Sequence, residues 1–252
     1  MINESILPED MTLFLLKFIK EEYVEDFRKG KIYMNTLEYF MELEKSTGIQ
    51  GMGDRYEASA VMNDLDFKLY EYGTNVLVAT GKAGGINFHS NERVKTPVFC
   101  AYAVDKDVLK ITNEKDDSFQ VIPEINAKEL EKLIEDFGDN MLIINVVEFL
   151  KRIDAKCEEL GITVKYGKVI YNDYSINSSE RLRFYEDLDS ASICFIKDDK
   201  LAAQNEFRII LENINSDKPY VLEIGDISDI TTPFKITDFF SGRFVIEVKK
   251  QK

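Results

Sequence analysis

Thr12-Leu13-Phe14-Leu15-Leu16-Lys17-Phe18-Ile19 is an apolar run of strand length interrupted by one ammonium, and it predicts a strand buried on both faces. Glu21 to Lys29 follows with Tyr23, Val24 and Phe27 at helical spacing and Gly30 where a C-terminal cap sits. Lys31 to Met34 reads as a second strand, and Asn35 with Glu38 resembles a capping box opening a helix over Thr36 to Glu44. The chain therefore opens strand, helix, strand, helix. An ammonium inside an apolar run is costly unless paired or functional, so Lys17 is expected to point into a polar cavity.

Working outward, the residues from Glu57 to Tyr102 change to short β-like runs, Ala58–Met62, Asn75–Ala79 and Pro97–Val104, expected to form an antiparallel sheet. Ala127–Phe137 predicts a helix, Met141–Ile144 a strand, and Val146–Leu160 a helix with Val146, Leu150, Ile153, Cys157 and Leu160 on one face and Gly161 as its stop. Ile162–Tyr171 reads as a strand, Ser178 or Ser179 as the cap of a helix through Glu180 to Leu188, and Ile193–Ile196 as strand. Phe207–Leu211 and Tyr220–Ile224 resemble another antiparallel pair, and Arg243–Val248 a last strand. No linker, composition break or repeat interrupts the chain. The expectation is one α+β domain over residues 1–252, with mixed, mostly antiparallel sheets flanked by helices.

Composition bounds the partners. With 252 residues and 44% hydrophobic content the chain can bury a substantial core. The 46 acidic against 32 basic residues give a formal charge of −14, which repels phosphate backbones and anionic headgroups and disfavours general nucleic-acid binding. DNA mimicry is disfavoured too, because basic residues interrupt nearly every acidic run. Cys100, Cys157 and Cys194 are odd in number and far apart, which fits buried small hydrophobes in a reducing compartment. The Met1-Ile2-Asn3-Glu4 start carries no basic-then-apolar leader and no run reaches membrane-spanning length, so a cytoplasmic protein with no membrane partner is expected.

Several chemistries lack their residues. His89 is the only histidine, set in a polar stretch read as a loop, and no Gly-x-Ser-x-Gly elbow accompanies it. One imidazole excludes a histidine-rich metal site, and Asp64-Leu65-Asp66 reads as a turn. Gly81-Lys82-Ala83-Gly84-Gly85 lacks Walker or dinucleotide spacing and reads as a hairpin turn.

Gln204-Asn205-Glu206-Phe207-Arg208-Ile209-Ile210-Leu211 remains. At strand spacing Gln204, Glu206 and Arg208 share one face and can bond a ribose, hold a carboxylate ionised, or decorate a wet sheet face. Asp54, Arg55, Tyr56 and Glu57 follow a Gly-rich loop, where they can form a pocket wall or a turn followed by a strand-face Arg55–Glu57 pair.

The stretches Phe27–Phe40, Gly53–Glu57, Lys168–Asp173, Phe195–Lys197 and Gln204–Arg208 resemble a group of uncharacterised bacterial and prophage proteins. That resemblance implies a role in phage and host conflict through binding a protein or a nucleotide. The strand-helix-strand opening and Gln204-x-Glu206 are also similar to ADP-ribosyltransferases. This second resemblance implies NAD or a related nucleotide as ligand or substrate. Glu206 would then stabilise the oxocarbenium-like charge, Gln204 would orient the acceptor and Lys17 would contact the pyrophosphate; Lys17 stands where that superfamily places Arg or His, and no Ser-Thr-Ser element is evident. Whether Lys17 and Glu206 line one cleft separates a nucleotide site from two unrelated polar residues.

Overall fold

The computed structural model describes residues 11–48 and 53–249, and the fold is α+β with mostly antiparallel sheets. Residues 49–52 of the Gly-rich loop read at Ser46 to Tyr56 lie outside the described residues. In chain order the elements are β1 (Phe14–Phe18), α1 (Glu21–Arg28), β2 (Lys31–Thr36), α2 (Leu37–Thr47), β3 (Ser59–Tyr70), β4 (Leu77–His89) and β5 (Pro97–Val104). Then come β6 (Leu109–Glu114), β7 (Ser118–Pro123), α3 (Ala127–Phe137), β8 (Asn140–Ile144), α4 (Val146–Leu160), β9 (Val164–Lys168) and β10 (Ile170–Asn172). The chain continues through α5 (Ser179–Arg183), β11 (Ile196–Asp198), β12 (Glu206–Leu211), β13 (Tyr220–Glu223), β14 (Thr231–Lys235), α6 (Ile236–Phe239) and β15 (Ile246–Lys249).

The opening forms as its residues dictate. Acidic Glu21 and Glu22 start α1 and Arg28 ends it, matching the helix dipole. Gly30 then takes φ +84° against the backbone of Gly225, where an added Cβ would stand 1.7 Å from the Gly225 carbonyl oxygen. The cap of α2 is Thr36, whose Oγ1 accepts from the Tyr39 amide, one residue beyond the Asn35 that the capping-box reading selects.

The main sheet runs β13-β2-β5-β1-β8-β14, with β12 along the other edge of β5 and β9 beyond it. One edge of β5 pairs with β12 from Val98 to Tyr102. Its other edge meets β2 at Pro97 and Val98 and β1 at Tyr102 to Val104. Strands β1 and β2 thus share one side of β5 and diverge, leaving Phe99, Cys100 and Ala101 facing a split in the sheet. Adjacent leucines of β1 serve opposite faces. Leu15 packs with Phe27, Phe99, Phe149 and Ile153 beneath α1 and α4, whereas Leu16 packs with Tyr102, Phe119, Val121, Met141 and Phe239 beneath the β15-β7-β6 sheet and α6.

Several expectations change. Ser59 to His89 is a two-stranded arm separate from the sheet of β5, and its turn lies between Tyr70 and Leu77. The glycine run Gly81–Gly85 is therefore mid-strand, because the Phe67 ring crosses the face of Gly81 and any Cβ there would fall within 2.7 Å of it. Asp64-Leu65-Asp66 is strand, with Asp64 at φ +49°, and His89 ends β4. The run Ile162–Tyr171 breaks at Val169 into β9 and β10, which belong to different sheets. Ile193–Ile196 is mostly a 3₁₀ turn, Ala191–Phe195, leading into β11. Strands β12 and β13 exist but do not pair with each other, since β13 joins β2. The two strands instead find separate partners upstream, β5 and β9 for β12 and β2 for β13.

Because Leu65 and Ala83 are direct partners and the arm beyond them is largely exposed, replacing residues 66–82 by Asn-Gly should close a two-residue hairpin. The expected thermal midpoint stays within about 3 °C of the parent by circular dichroism. A larger loss would show that the distal arm supports the body.

Candidate functional site

β12 enters the sheet at Glu206 and is buried along its whole length, so its polar side chains must find partners inside the protein. Arg208 finds them in both directions. Its Nη1 donates to Glu57 Oε2 at 2.8 Å and its Nη2 to Glu57 Oε1 at 2.6 Å, a bidentate fork. Its Nε donates to Glu206 Oε1 at 2.7 Å, Nη2 reaches Glu206 Oε2 at 3.4 Å, and Nη1 also donates to the Cys194 carbonyl. All five guanidinium N–H groups are thereby used.

Lys197, from β11, completes the cluster. Its Nζ donates to Glu206 Oε2 at 2.9 Å and to Gln204 Oε1 at 3.0 Å, and lies 3.3 Å from Glu57 Oε1. Two carboxylates and two cations balance at zero net charge. Burial opposes the charge on Glu206, but Arg208 and then Lys197 outweigh it and hold the carboxyl well below the ordinary range. Burial likewise pushes Lys197 toward neutrality, and Glu206 followed by Glu57 reverses that and keeps it charged.

A cavity of about 270 Å³ opens at the split in the sheet, beside this cluster. Lys17 and Glu206 both line it, together with Gln204, Glu57, Lys197 and Arg208. Lys17 is partly buried; its Nζ donates to the Cys100 carbonyl at 2.7 Å, where neither β1 nor β2 pairs with β5, and sits 4.6 Å from the centre of the Phe99 ring. Burial draws its ammonium below the ordinary value, opposed by Cys100 and Glu206. Apolar walls come from Phe18, Phe40, Phe99 and Phe137, and α3 supplies Glu129 and Asp136 on the outer side. Compared with family models, with curated proteins and with solved structures, the chain finds no match.

The residues singled out in the sequence divide. Lys17, Gln204, Glu206, Arg208 and Glu57 converge on one cavity. Gln204 reaches it by another route than expected, because it ends the 3₁₀ turn Asp199–Gln204 and Asn205 is left-handed at φ 36°; Lys197, not strand alternation, joins it to Glu206. Asp54 is buried behind Glu57, with Oδ1 capping the Tyr56 amide. Arg55 and Tyr56 turn away. Arg55 reaches Glu44 and Tyr56 packs on Tyr174, so no Arg55–Glu57 pair forms; the segment is a turn, and Glu57 takes the buried Arg208 instead. Lys197 is the residue that sequence reasoning passed over, although it carries the same signal as Lys17, a lysine directly after the apolar pair Phe195-Ile196. Among the described residues no cluster of three or more metal-ligating side chains occurs.

Glu206→Gln removes a charge facing two buried cations, and the expected loss of stability is about 3–5 kcal/mol by urea unfolding. A loss under about 1 kcal/mol would show that the cluster does not hold β12 in place. Asp54 gives a prediction of opposite sign. Burial, then the charge of Glu57, raises its carboxyl from 3.8 to about 6, so ionising it costs the folded state as pH rises through that window, and the cost persists above it. Asp54→Asn should therefore stabilise the protein at pH 7.5 by roughly 1–3 kcal/mol, with the gain vanishing near pH 4. A gain independent of pH would assign the effect to packing.

Proposed function

We propose that the chain binds a nucleotide in the cavity at the split of the sheet, and that this binding is how it acts in phage and host conflict. The observation that carries the reading is that Lys17 and Glu206 line the same cavity. Its volume of about 270 Å³ suits one nucleoside with its phosphate better than a wholly enclosed dinucleotide, since small-molecule sites run from about 300 to 1,000 Å³. Aromatic rings at Phe18, Phe40 and Phe137 line the cavity and supply apolar surface for a base. Lys17 and the more exposed Lys200 offer N–H donors to phosphate. The biological setting rests on the sequence resemblance to prophage-associated proteins.

Glu206 takes a different part in this reading from the one its position in Gln204-x-Glu206 suggests. Arg208 and Lys197 already occupy both of its oxygens, so it serves first to hold the cavity floor in shape and charge balance. A second reading, cleavage of the nicotinamide–ribose bond of NAD, is favoured by one observation: Glu206 is a cavity-lining carboxylate held ionised in buried surroundings. Such a group stabilises an oxocarbenium-like charge. The two adjoining cations weaken its field, which is why binding is preferred over turnover.

Thermal shift assays with AMP, ADP-ribose and NAD test both readings. At 1 mM ligand and a Kd of about 100 μM, binding adds about 1.4 kcal/mol and raises the midpoint by about 3–5 °C. Lys17→Met should abolish the shift while leaving the unliganded midpoint within a few degrees. Failure of all three ligands to shift the parent would end the nucleotide reading, and release of nicotinamide from NAD would move the conclusion to the enzyme.

A further inference from the structure

The cavity contains amines in unlike states. Lys197 directs its ammonium at Glu206, Gln204 and Glu57, so its three N–H groups are spent and its charge is locked by two carboxylates. Lys132 and Lys200 also line the cavity but stand at exposed positions, Lys200 with its Nζ 3.9 Å from Asp198 Oδ2. Lys17 differs from all three. It projects from near the end of β1, between Leu16 and Phe18, into the gap where β1 and β2 part, and its hydrogen-bond acceptor is a neutral carbonyl, that of Cys100. The Phe99 ring lies against it, and among the described residues no carboxylate approaches it to ion-pair distance. Glu206, whose charge acts on Lys17, is turned toward Arg208 and Lys197.

We propose that Lys17 is a carbonyl-capturing amine, which forms an imine with a small aldehyde or aldose admitted to the aromatic-walled cavity. The proposal rests on the geometry of the split and stands apart from the nucleotide reading. An amine becomes a nucleophile when its surroundings favour the uncharged form, and desolvation without a carboxylate partner does this for lysine. Here the burial of Lys17 works in that direction, against the weaker pull of Cys100 and Glu206. In the reaction the Nζ lone pair adds to the carbonyl carbon and the C=O π electrons move to oxygen. A proton passes from nitrogen to that oxygen through water, giving a carbinolamine. Expulsion of the oxygen as water, with loss of the second nitrogen proton as the C=N bond forms, leaves a neutral imine and no net oxidation. The aldehyde is the only co-reactant, and water is the only product released.

The test is reductive trapping of the full chain at pH 7.5 with 4-carboxybenzaldehyde and sodium cyanoborohydride, followed by intact mass and peptide mapping. Glycolaldehyde serves as a smaller second probe that needs little room. The expected result is one early adduct per chain, mapped to Lys17 and formed at least ten times faster than adducts at exposed lysines such as Lys45 and Lys151. Lys17→Arg should remove the fast phase. If that variant fails to fold, the map of the parent decides alone. Adducts spread over the surface with Lys17 not ahead for either probe, or a fast phase that survives in a folded Lys17→Arg chain, would overturn the proposal.

Discussion

The fork between Arg208 and Glu57 is the constraint on which the rest of the site depends. A guanidinium in the middle of an all-buried strand is tolerable only when its N–H groups are matched and its charge is cancelled, and removing one partner of such a pair costs about 3–5 kcal/mol. Glu57 and Glu206 supply the matching, and the surplus negative charge they bring is what admits Lys197. Those four side chains tie together the turn before the arm, β11 and β12. With these elements fixed, the floor of the cavity is fixed, and Lys17 has a defined place opposite it.

The main elements of the fold were legible where local chemistry alone decides. The β1–α1–β2 opening, α4 with its Gly161 stop and a serine cap at 178 or 179, which the structure places at Ser178, all follow from periodicity and capping. The arm was not, because its glycines resemble turn residues unless one knows that the Phe67 ring lies across Gly81. Nor was the partner of Glu57, since neighbouring Arg55 satisfies the same chemistry at far smaller separation in sequence. The site was legible as a residue set and illegible as a geometry. Lys17 was flagged by the cost of an ammonium in an apolar run, and Glu206 by the entrance of an apolar strand; both reasons are physical and both residues line the cavity. What no local rule supplies is the split in β5's edge, which arises because two strands share one side of a third without continuing each other.

That split explains why a cavity exists beside a packed core. A strand edge ordinarily satisfies its carbonyls through a neighbour, and at Cys100 a lysine takes that part. Replacing a backbone donor by a long side chain leaves room that a further strand would have filled. The aromatic rings lining the gap limit its size, and the charge-balanced floor keeps it from collapsing onto an unpaired ion.

The Glu57–Arg208 fork also has a consequence for how the chain is made. The two residues are 151 positions apart. At a synthesis rate of about 5–20 residues per second, Glu57 leaves the ribosome roughly 8–30 s before its partner. During that interval β5 lacks β12 beside it, and Glu57 lacks both Lys197 and Arg208, so the charge balance of that region is incomplete. Closure of the fork therefore waits on the synthesis of β12, which brings the guanidinium that the Glu57 carboxylate is matched to.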